Sequence, residues 1–202
     1  MKAAAIILAG GKSSRMGTNK ALLKINEKTN IERIADKLKL LFDDIILVTN
    51  DSEQYEFLNV RMVPDHFPGQ GPLAGVHAGL TASDYDLNLI VACDMPFLSN
   101  ELAEALVTNA MHYDAVIPVI HGKQQPLFSV FKKQTAAVIE EQIQAGQLRM
   151  KHLLDHLNVL CLTEKELETY SQMGLDQVFF NMNHPEEYEE AKKKAESDFL
   201  NL

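Results

Sequence analysis

Residues 3–20 read AAAIILAGGKSSRMGTNK, and this stretch decides the fold of the chain. The small apolar residues up to Leu8 predict a strand that is covered on both faces, as in parallel sheets. Gly10 and Gly11 follow it, and glycines allow backbone N–H groups to approach a phosphate without a Cβ in the way. The stretch then supplies three cations, Lys12, Arg15 and Lys20. It therefore predicts a strand that leads into a phosphate-binding loop.

Two common nucleotide signatures do not fit this loop. A Walker A loop has a glycine five residues ahead of its Gly-Lys-Ser, where this chain has Ile6. The dinucleotide pattern has alternating glycines, whereas Gly10 and Gly11 are adjacent. The alternative interpretation is a tight strand-to-helix turn with solvated cations, although turns rarely need so many special residues in a fixed order.

Composition limits the classes of protein to which the chain can belong. Its 202 residues, 46% of them hydrophobic, are enough for one sizeable core, so we expect one α/β domain over residues 1–202. The formal net charge of -9 argues against a nucleic-acid partner or an anionic membrane surface. Cys93 and Cys161 lie far apart without a CxxC partner, which favours a reduced, cytoplasmic protein without a structural zinc site.

Strand and helix patterns alternate along the chain. Apolar runs predict strands at 45–48, 60–63, 87–92, 115–119, 127–131, 159–162 and 178–180. Helical spacing predicts helices at 31–42, 73–80, 102–111 and 135–145, and a terminal helix from Pro185 with Glu early and Lys192 to Lys194 late. The alternation predicts an α/β fold, a three-layer α/β/α arrangement around a mostly parallel sheet. Ligands bind such sheets at the carboxyl ends of the strands.

Two aspartates follow predicted strands at that edge. Asp94 comes directly after the strand at 87–92, where a carboxylate can coordinate a hard cation such as Mg²⁺ that bridges triphosphate oxygens. A turn or helix cap before Pro96 is the alternative. Asp65 follows Pro64 and could accept hydrogen bonds from guanine N1 and N2, or it could form a turn.

Two cations of the loop are candidates for phosphate contact. Lys20 is a compact point charge that could reach an α-phosphate during phosphoryl transfer. The planar fork of Arg15 suits the departing β- and γ-phosphates. Each could instead be an ordinary solvated side chain.

Three motifs together resemble a known family. They are Leu-Ala-Gly-Gly-x-Ser-x-Arg-Met-Gly-x-x-Lys from Leu8 to Lys20, Gly-Pro-Leu-Ala-Gly at 71–75, and Asn-Met-Asn-His-Pro-Glu-Glu at 181–187. The chain resembles the MobA-like nucleotidyltransferase family, which includes the molybdenum cofactor guanylyltransferases. The resemblance extends from Leu8 to Glu187. It implies a Rossmann-like sheet of the nucleotide-diphospho-sugar transferase type, with a GTP-binding half at about 1–98 and a pterin-substrate half at about 99–202.

The resemblance also implies an activity, which is Mg²⁺-dependent transfer of GMP from GTP to molybdenum-molybdopterin with release of pyrophosphate. The implied catalytic residues are Lys20, Arg15 and Asp94, and Asp94 is the implied metal ligand. The implied binding residues are Leu8, Ala9, Gly10, Gly11, Lys20, Asp65, Gly75, Asp94, Asn181 and Asn183. Transient contact with molybdopterin-handling proteins is a further implication.

The chain departs from the family pattern at two positions. Members commonly have Asp before the loop lysine and Thr after the second Asn, whereas this chain has Asn19 and His184. Neither departure removes an implied ligand. Other functions also remain open: a cytidylyltransferase, whose loop resembles Leu-Ala-Ala-Gly, another small-molecule nucleotidyltransferase, or a non-catalytic nucleotide-binding module. The last would not need a carboxylate such as Asp94.

Overall fold

The apolar run at the start of the chain forms the central strand of the sheet. β1 (Ala4–Leu8) is buried along its whole length, as predicted. It pairs in parallel with β4 (Asp44–Val48) on one side and with β6 (Leu87–Ala92) on the other. The structure is a computed structural model that describes residues 1–10 and 19–200, with side chains through residue 196.

The other elements follow in chain order. The remaining strands are β2 (Lys24–Ile25), β3 (Lys28–Thr29), β5 (Arg61–Val63), β7 (Ala115–Ile120), β8 (Lys123–Gln124), β9 (Phe128–Lys132) and β10 (Val159–Thr163). The α-helices are α1 (Asn30–Lys39), α2 (Pro72–Ala82), α3 (Asn100–Thr108), α4 (Thr135–Gln144), α5 (Met150–Leu154), α6 (Glu164–Leu167), α7 (Leu175–Val178) and α8 (Pro185–Leu200). Short 3-10 turns occupy Lys20–Leu22 and Ser52–Leu58.

The main sheet is mostly parallel, as predicted. Its strand order is β10-β7-β9-β6-β1-β4-β5, and β8 pairs with β7. β9 runs antiparallel to both of its neighbours, β6 and β7. β8 returns antiparallel to β7 across a turn at His121 and Gly122, both of which have positive φ, as type I′ hairpin turns require. β2 and β3 form a separate two-stranded sheet.

Helices cover both faces of the main sheet, which confirms the three-layer α/β fold. Successive strand residues point to opposite faces. Ile7 of β1 lies in a buried cluster with side chains of α1 and α3, whereas Ile6 lies in a second cluster with side chains of α2, α4 and α5. α2 crosses β1 so closely that a Cβ at Gly79 would overlap Cγ2 of Ile6. The glycine therefore permits this helix–strand contact.

Two sequence predictions near the carboxyl end are wrong. Residues 178–180 are not a strand, because the backbone N–H of Val178 bonds to Gly174 O and that of Phe179 to Leu175 O, closing the short helix α7. A short apolar run cannot distinguish the two structures by periodicity. The acidic first turn of α8 is confirmed, but the helix continues to Leu200, so Lys192 to Lys194 lie in its middle and not in its last turn.

In the ranges that the structure describes, no helix is both long and apolar enough to span a membrane.

Candidate functional site

Four parallel strands end in one row. Val63, Val48, Leu8 and Ala92 are register partners across β5, β4, β1 and β6. A residue of interest lies two positions beyond each of them: Asp65, Asn50, Gly10 and Asp94. The row therefore brings residues that are distant in sequence to the same edge of the sheet, as expected for parallel strands.

The backbone around Asp94 is held by three different elements. The N–H of Cys93 donates to Leu8 O at 3.2 Å. The carbonyl oxygen of Cys93 accepts from Nδ2 of Asn30, a wholly buried residue at the start of α1, at 2.7 Å. The carbonyl oxygen of Asp94 accepts from the N–H of Met182 at 2.9 Å. Asp94 is thus fixed relative to β1, α1 and the segment before α8.

The Asp94 carboxylate lies in a setting that suits a cation. Burial raises the pKa of Asp94, the positive charge of Lys20 lowers it, and the carboxylate of Glu187 raises it. Its Oδ1 is buried and has no hydrogen-bond partner among residues 1–10 and 19–196. A buried carboxylate oxygen of this kind costs free energy unless a ligand satisfies it. The site therefore fits a hard cation.

The described side chains do not form a complete metal cage. No group of three or more His, Cys, Asp or Glu side chains within them could hold a metal ion. Mg²⁺ commonly uses one or two carboxylates and completes its shell with water and substrate phosphates, so a single Asp94 is compatible with it. Burial raises the pKa of the neighbouring Cys93 thiol to about 12, which favours the protonated thiol over the thiolate.

Lys20 and Asn183 meet across the site. Nζ of Lys20 donates a hydrogen bond of 2.9 Å to Oδ1 of Asn183. Asn19 caps the 3-10 turn that begins at Lys20, with its Oδ1 accepting from Ala21 N at 3.2 Å and its Nδ2 donating to the hydroxyl of the buried Tyr55 at 2.8 Å. Asn19, which stands where the family commonly has Asp, therefore anchors the turn that presents Lys20.

A short segment before α8 carries the two predicted asparagines. Nδ2 of Asn181 donates to Phe179 O at 3.0 Å. The carboxylate of Glu187 accepts from the backbone N–H of His184 at 2.8 Å and from the backbone N–H of Asn183. Glu187 therefore holds the backbone from which the Asn183 side chain reaches Lys20.

Asp65 makes a turn with part of its carboxylate. Its Oδ1 accepts from the N–H of Phe67 at 2.8 Å, and its own N–H donates to Oδ1 of Asn50 at 2.9 Å. Asp65 therefore forms the turn that was the alternative interpretation, and it uses one carboxylate oxygen to do so. The described residues place no hydrogen bond on Oδ2, and contact with a base stays a prediction.

The glycines of the site differ in what surrounds them. Gly71, with φ of 75°, precedes α2, in whose second turn Gly75 lies. A Cβ at Gly75 would lie 3.3 Å from Cδ2 of Leu8, so this glycine serves the packing of α2 on β1. Gly10 is exposed, with open space where a Cβ would be. Gly11 and Arg15 lie outside the described residues.

A cavity of about 390 Å³ adjoins the Lys20–Asn183 contact on the side of the carboxyl-terminal half. Its lining comprises Ile120, His121, Lys123, Gln125, Asp176, Phe179, Phe180, Asn181, Asn183 and Glu187. The aromatic rings offer a stacking surface, and the amides and Lys123 offer polar contacts. At its rim His121 contacts Asp176 at 2.8 Å and Glu164 at 3.4 Å.

Sequence reasoning missed Asn30 and Glu187 as parts of this site. Asn30 carries a weak signal, since it is a polar residue at the first position of a helix whose capping box is formed by Thr29 and Glu32. Glu187 lies within the Asn-x-Asn-His-Pro-Glu-Glu motif, but its contact with Asn183 depends on how the chain turns into α8.

The sequence is similar to those of known proteins over nearly its whole length. The sequence model of the MobA-like NTP transferase domain matches residues 5–160. A probable molybdenum cofactor guanylyltransferase of Pelotomaculum thermopropionicum is 36% identical over 198 residues, covering 98% of this chain and 95% of the relative. One from Natranaerobius thermophilus is 34% identical, with 94% of each chain covered.

Solved structures are also similar to this chain over most of its length. The molybdopterin-guanine dinucleotide biosynthesis protein A of Archaeoglobus fulgidus superposes with a TM-score of 0.83 at 26% identity, covering 96% of this chain and 99% of that protein. The 2-C-methyl-D-erythritol 4-phosphate cytidylyltransferase of Thermus thermophilus superposes with a TM-score of 0.71 at 16% identity, covering 95% and 98%, and shares the fold.

Proposed function

Because the chain belongs to the MobA-like NTP transferase family, we propose that it transfers GMP from GTP to molybdenum-molybdopterin and so forms the guanine dinucleotide cofactor. The observation that carries this proposal is the position of Asp94 and Lys20 at one edge of the sheet, with Asn183 bound to Lys20 beside the cavity. That arrangement supports a triphosphate on one side and a second substrate on the other.

The reaction is an in-line displacement at phosphorus. A phosphate oxygen of the pterin forms a new bond to the α-phosphorus of GTP, the bond from that phosphorus to the bridging oxygen breaks, and pyrophosphate leaves with the electron pair. No covalent enzyme intermediate is needed, so the protein contributes positioning and charge neutralisation. Lys20 stabilises charge at the α-phosphate, and Arg15 that at the departing phosphates.

Asp94 is the proposed ligand for Mg²⁺, on the strength of its buried and unsatisfied Oδ1. A bound Mg²⁺ would polarise phosphate oxygens and offset the negative charge that develops during transfer. Burial disfavours the charged form of Asp94 and so raises its pKa, and a bound cation would stabilise that charged form.

The other residues divide between the two substrates. We assign the guanine edge to Asp65 and the phosphates to the backbone of Leu8, Ala9, Gly10 and Gly11. Gly75 lets α2 approach the nucleotide while it packs on Leu8. We assign Asn181 and Asn183 to the metal or the pterin phosphate. These assignments give a GTP half at about 1–98 and a pterin half at about 99–202, and pairing of β6 with β9 joins the halves in one sheet.

The cellular setting follows from the same chemistry. The structure has Cys93 and Cys161 as free thiols, which supports a reducing, cytoplasmic location. We propose no nucleic-acid or membrane partner, in keeping with the net charge of -9. Proteins that supply or receive the pterin are the proposed transient partners.

The test is an incubation of the purified protein with Mg²⁺, molybdenum-molybdopterin and either GTP or CTP labelled at the α-phosphate. We expect label in a pterin dinucleotide from GTP and little from CTP. Product from CTP alone would overturn the choice of base, and no product from either nucleotide would overturn transfer to the pterin.

A further inference from the structure

Glu187 contacts the backbone in a way that exceeds ordinary helix capping. It is the third residue of α8, where a Glu commonly accepts the N–H of the residue preceding the helix. That contact is present, at 2.8 Å from His184 N. The same oxygen, Oε2, also accepts the N–H of Asn183, one residue further back. One carboxylate oxygen therefore binds two consecutive N–H groups.

The backbone held in this way connects Lys20 with Asp94. The side chain of Asn183 accepts from Lys20 at 2.9 Å, and the N–H of Met182 donates to Asp94 O at 2.9 Å. Residues 182 and 183 thus contact the Lys20 ammonium and the backbone of Asp94, the two residues that the proposed reaction needs. A rotation of this segment would move Lys20 relative to Asp94.

The site contains a third charged side chain, Glu187, and its presence needs an explanation. Glu187 is half-buried, lines the cavity and interacts with the carboxylate of Asp94, so its negative charge opposes the binding of an anionic substrate. A neutral Ser, Thr or Asn at position 184 could cap α8 without that charge. Such a cap would not accept a hydrogen bond from the backbone N–H of Asn183, as Glu187 does.

We propose that Glu187 is a positioning residue for guanylyl transfer, which holds the backbone at Asn183 and His184 so that Asn183 fixes the Lys20 ammonium beside Asp94. This inference rests on the proposed function. Glu187 acts through Asn183 and Lys20 and does not itself contact the reacting atoms.

The matched control is Glu186, which is adjacent, exposed and in the same first turn of α8. We expect Glu187→Ala to lower kcat about a hundredfold, because small displacements of a positioned group cost that much, with a much smaller change in the KM for GTP. Glu186→Ala should retain wild-type kcat. Glu187→Gln keeps an acceptor oxygen but loses the charge that strengthens both hydrogen bonds, so its kcat should lie between those of Glu187→Ala and the wild type. Equal kcat values for Glu187→Ala and Glu186→Ala would overturn the proposal.

Glu187→Asp guards against a failure of the alanine variant to fold. It keeps the acidic first turn of α8, but the side chain is one methylene shorter and cannot reach both N–H groups. We expect kcat to fall about tenfold with the thermal midpoint retained, since the helix cap survives and the hold on Asn183 does not. An unchanged kcat in this variant would contradict the proposal.

A double-mutant cycle with Lys20→Ala separates positioning from simple structural support. If Glu187 acts through Lys20, adding Glu187→Ala to Lys20→Ala should change kcat by less than about threefold, because coupled residues are not additive. Multiplicative losses would overturn the proposal. If the wild-type protein makes no product from GTP, the proposed function itself has failed. The incubation with labelled GTP shows this before any variant is compared.

Discussion

Lys20 and Asn183 are 163 residues apart in sequence and are joined by a hydrogen bond of 2.9 Å from Nζ to Oδ1. One partner follows the glycine-rich stretch and the other precedes the last helix, so the contact links the beginning of the chain to its end. It also restricts the lysine, whose four-carbon stem would otherwise leave the ammonium free to move.

Replacement of Lys20 should lower kcat far more than replacement of Lys24. Lys20→Ala should lower kcat on the order of a hundredfold, because an ammonium that neutralises developing phosphate charge contributes several kcal/mol to the transition state. Lys24 is exposed, and a solvated lysine contributes under about 1 kcal/mol. Steady-state kinetics on both variants, with circular dichroism as the folding control, makes the comparison. Similar losses in both would contradict the assignment of Lys20.

Asp94→Ala should abolish most turnover while leaving the fold intact. We expect a loss of about two to three orders of magnitude, together with a weakened response to added Mg²⁺, because the proposed ligand is gone. Asp86 is the control, since it is exposed at the opposite end of the same strand, β6. Asp86→Ala should be fully active. Normal activity of Asp94→Ala at limiting Mg²⁺ would leave Asp94 only a structural role.

Asn30 should affect both stability and activity. Asn30→Ala removes the donor to Cys93 O, and a buried acceptor without a partner costs about 1–3 kcal/mol. Because the bond holds the peptide next to Asp94, kcat should fall as well. Asn100 is a suitable control, since its Nδ2 donates to Lys37 O at 3.1 Å at the start of α3. Asn100→Ala should lose stability alone, as measured by urea unfolding and kinetics.

Gly79→Ala should destabilise the protein by about 1–3 kcal/mol, because the added methyl group overlaps Ile6 in a packed interface. Gly174→Ala should change stability by less than about 0.5 kcal/mol, since its Cβ would enter open space and its φ of -58° suits any residue. Urea midpoints of the two variants test this difference. A neutral Gly79→Ala would mean that α2 can move away from β1 at little cost.

His77 should make stability depend on pH in mildly acidic solution. Burial lowers the pKa of His77 and His66 lowers it further, while Glu140 and Asp65 raise it, with a net shift below the ordinary value of 6.5. The unfolded chain then binds a proton that the folded protein does not. The contribution of neutral His77 is therefore complete above pH 6.5 and is lost as pH falls towards the folded pKa.

Urea unfolding between about pH 5 and pH 8 checks this expectation. The wild-type free energy of unfolding should decline towards acid by at most about 1.4 kcal/mol per pH unit from this group. His77→Gln should flatten that part of the curve. An identical decline in both proteins would assign the acid sensitivity to other groups.

The sequence predicts the positions of strands better than their directions. Runs such as Leu87–Ala92 are buried on both faces and are therefore recognisable. That β9 runs against β6 and β7 is not visible in its residues, because an apolar run has no direction. The segment at 178–180 failed because three apolar residues fit a short helix as well as a strand.

Some parts of the candidate site can be predicted from the sequence, and others depend on the tertiary structure. Glycines, Lys20, Asp65 and Asp94 can be proposed from the sequence because their types suit phosphate, base and metal, and each follows or precedes an apolar run. The contacts of Asn30 with Cys93 and of Glu187 with Asn183 are tertiary, and no local pattern encodes them. Gly75 illustrates a third case. The family resemblance predicts that it contacts the ligand, and the structure shows that it permits helix packing on Leu8.

The common row at which β5, β4, β1 and β6 end has a consequence for how such proteins diversify. Each loop starts at the same level of the sheet, so deleting one residue after Val63 would shift Asp65 and leave the paired residues of β4 and β5 unchanged. The residues that follow these four strands can then change separately, one loop at a time, while the sheet that carries them stays the same.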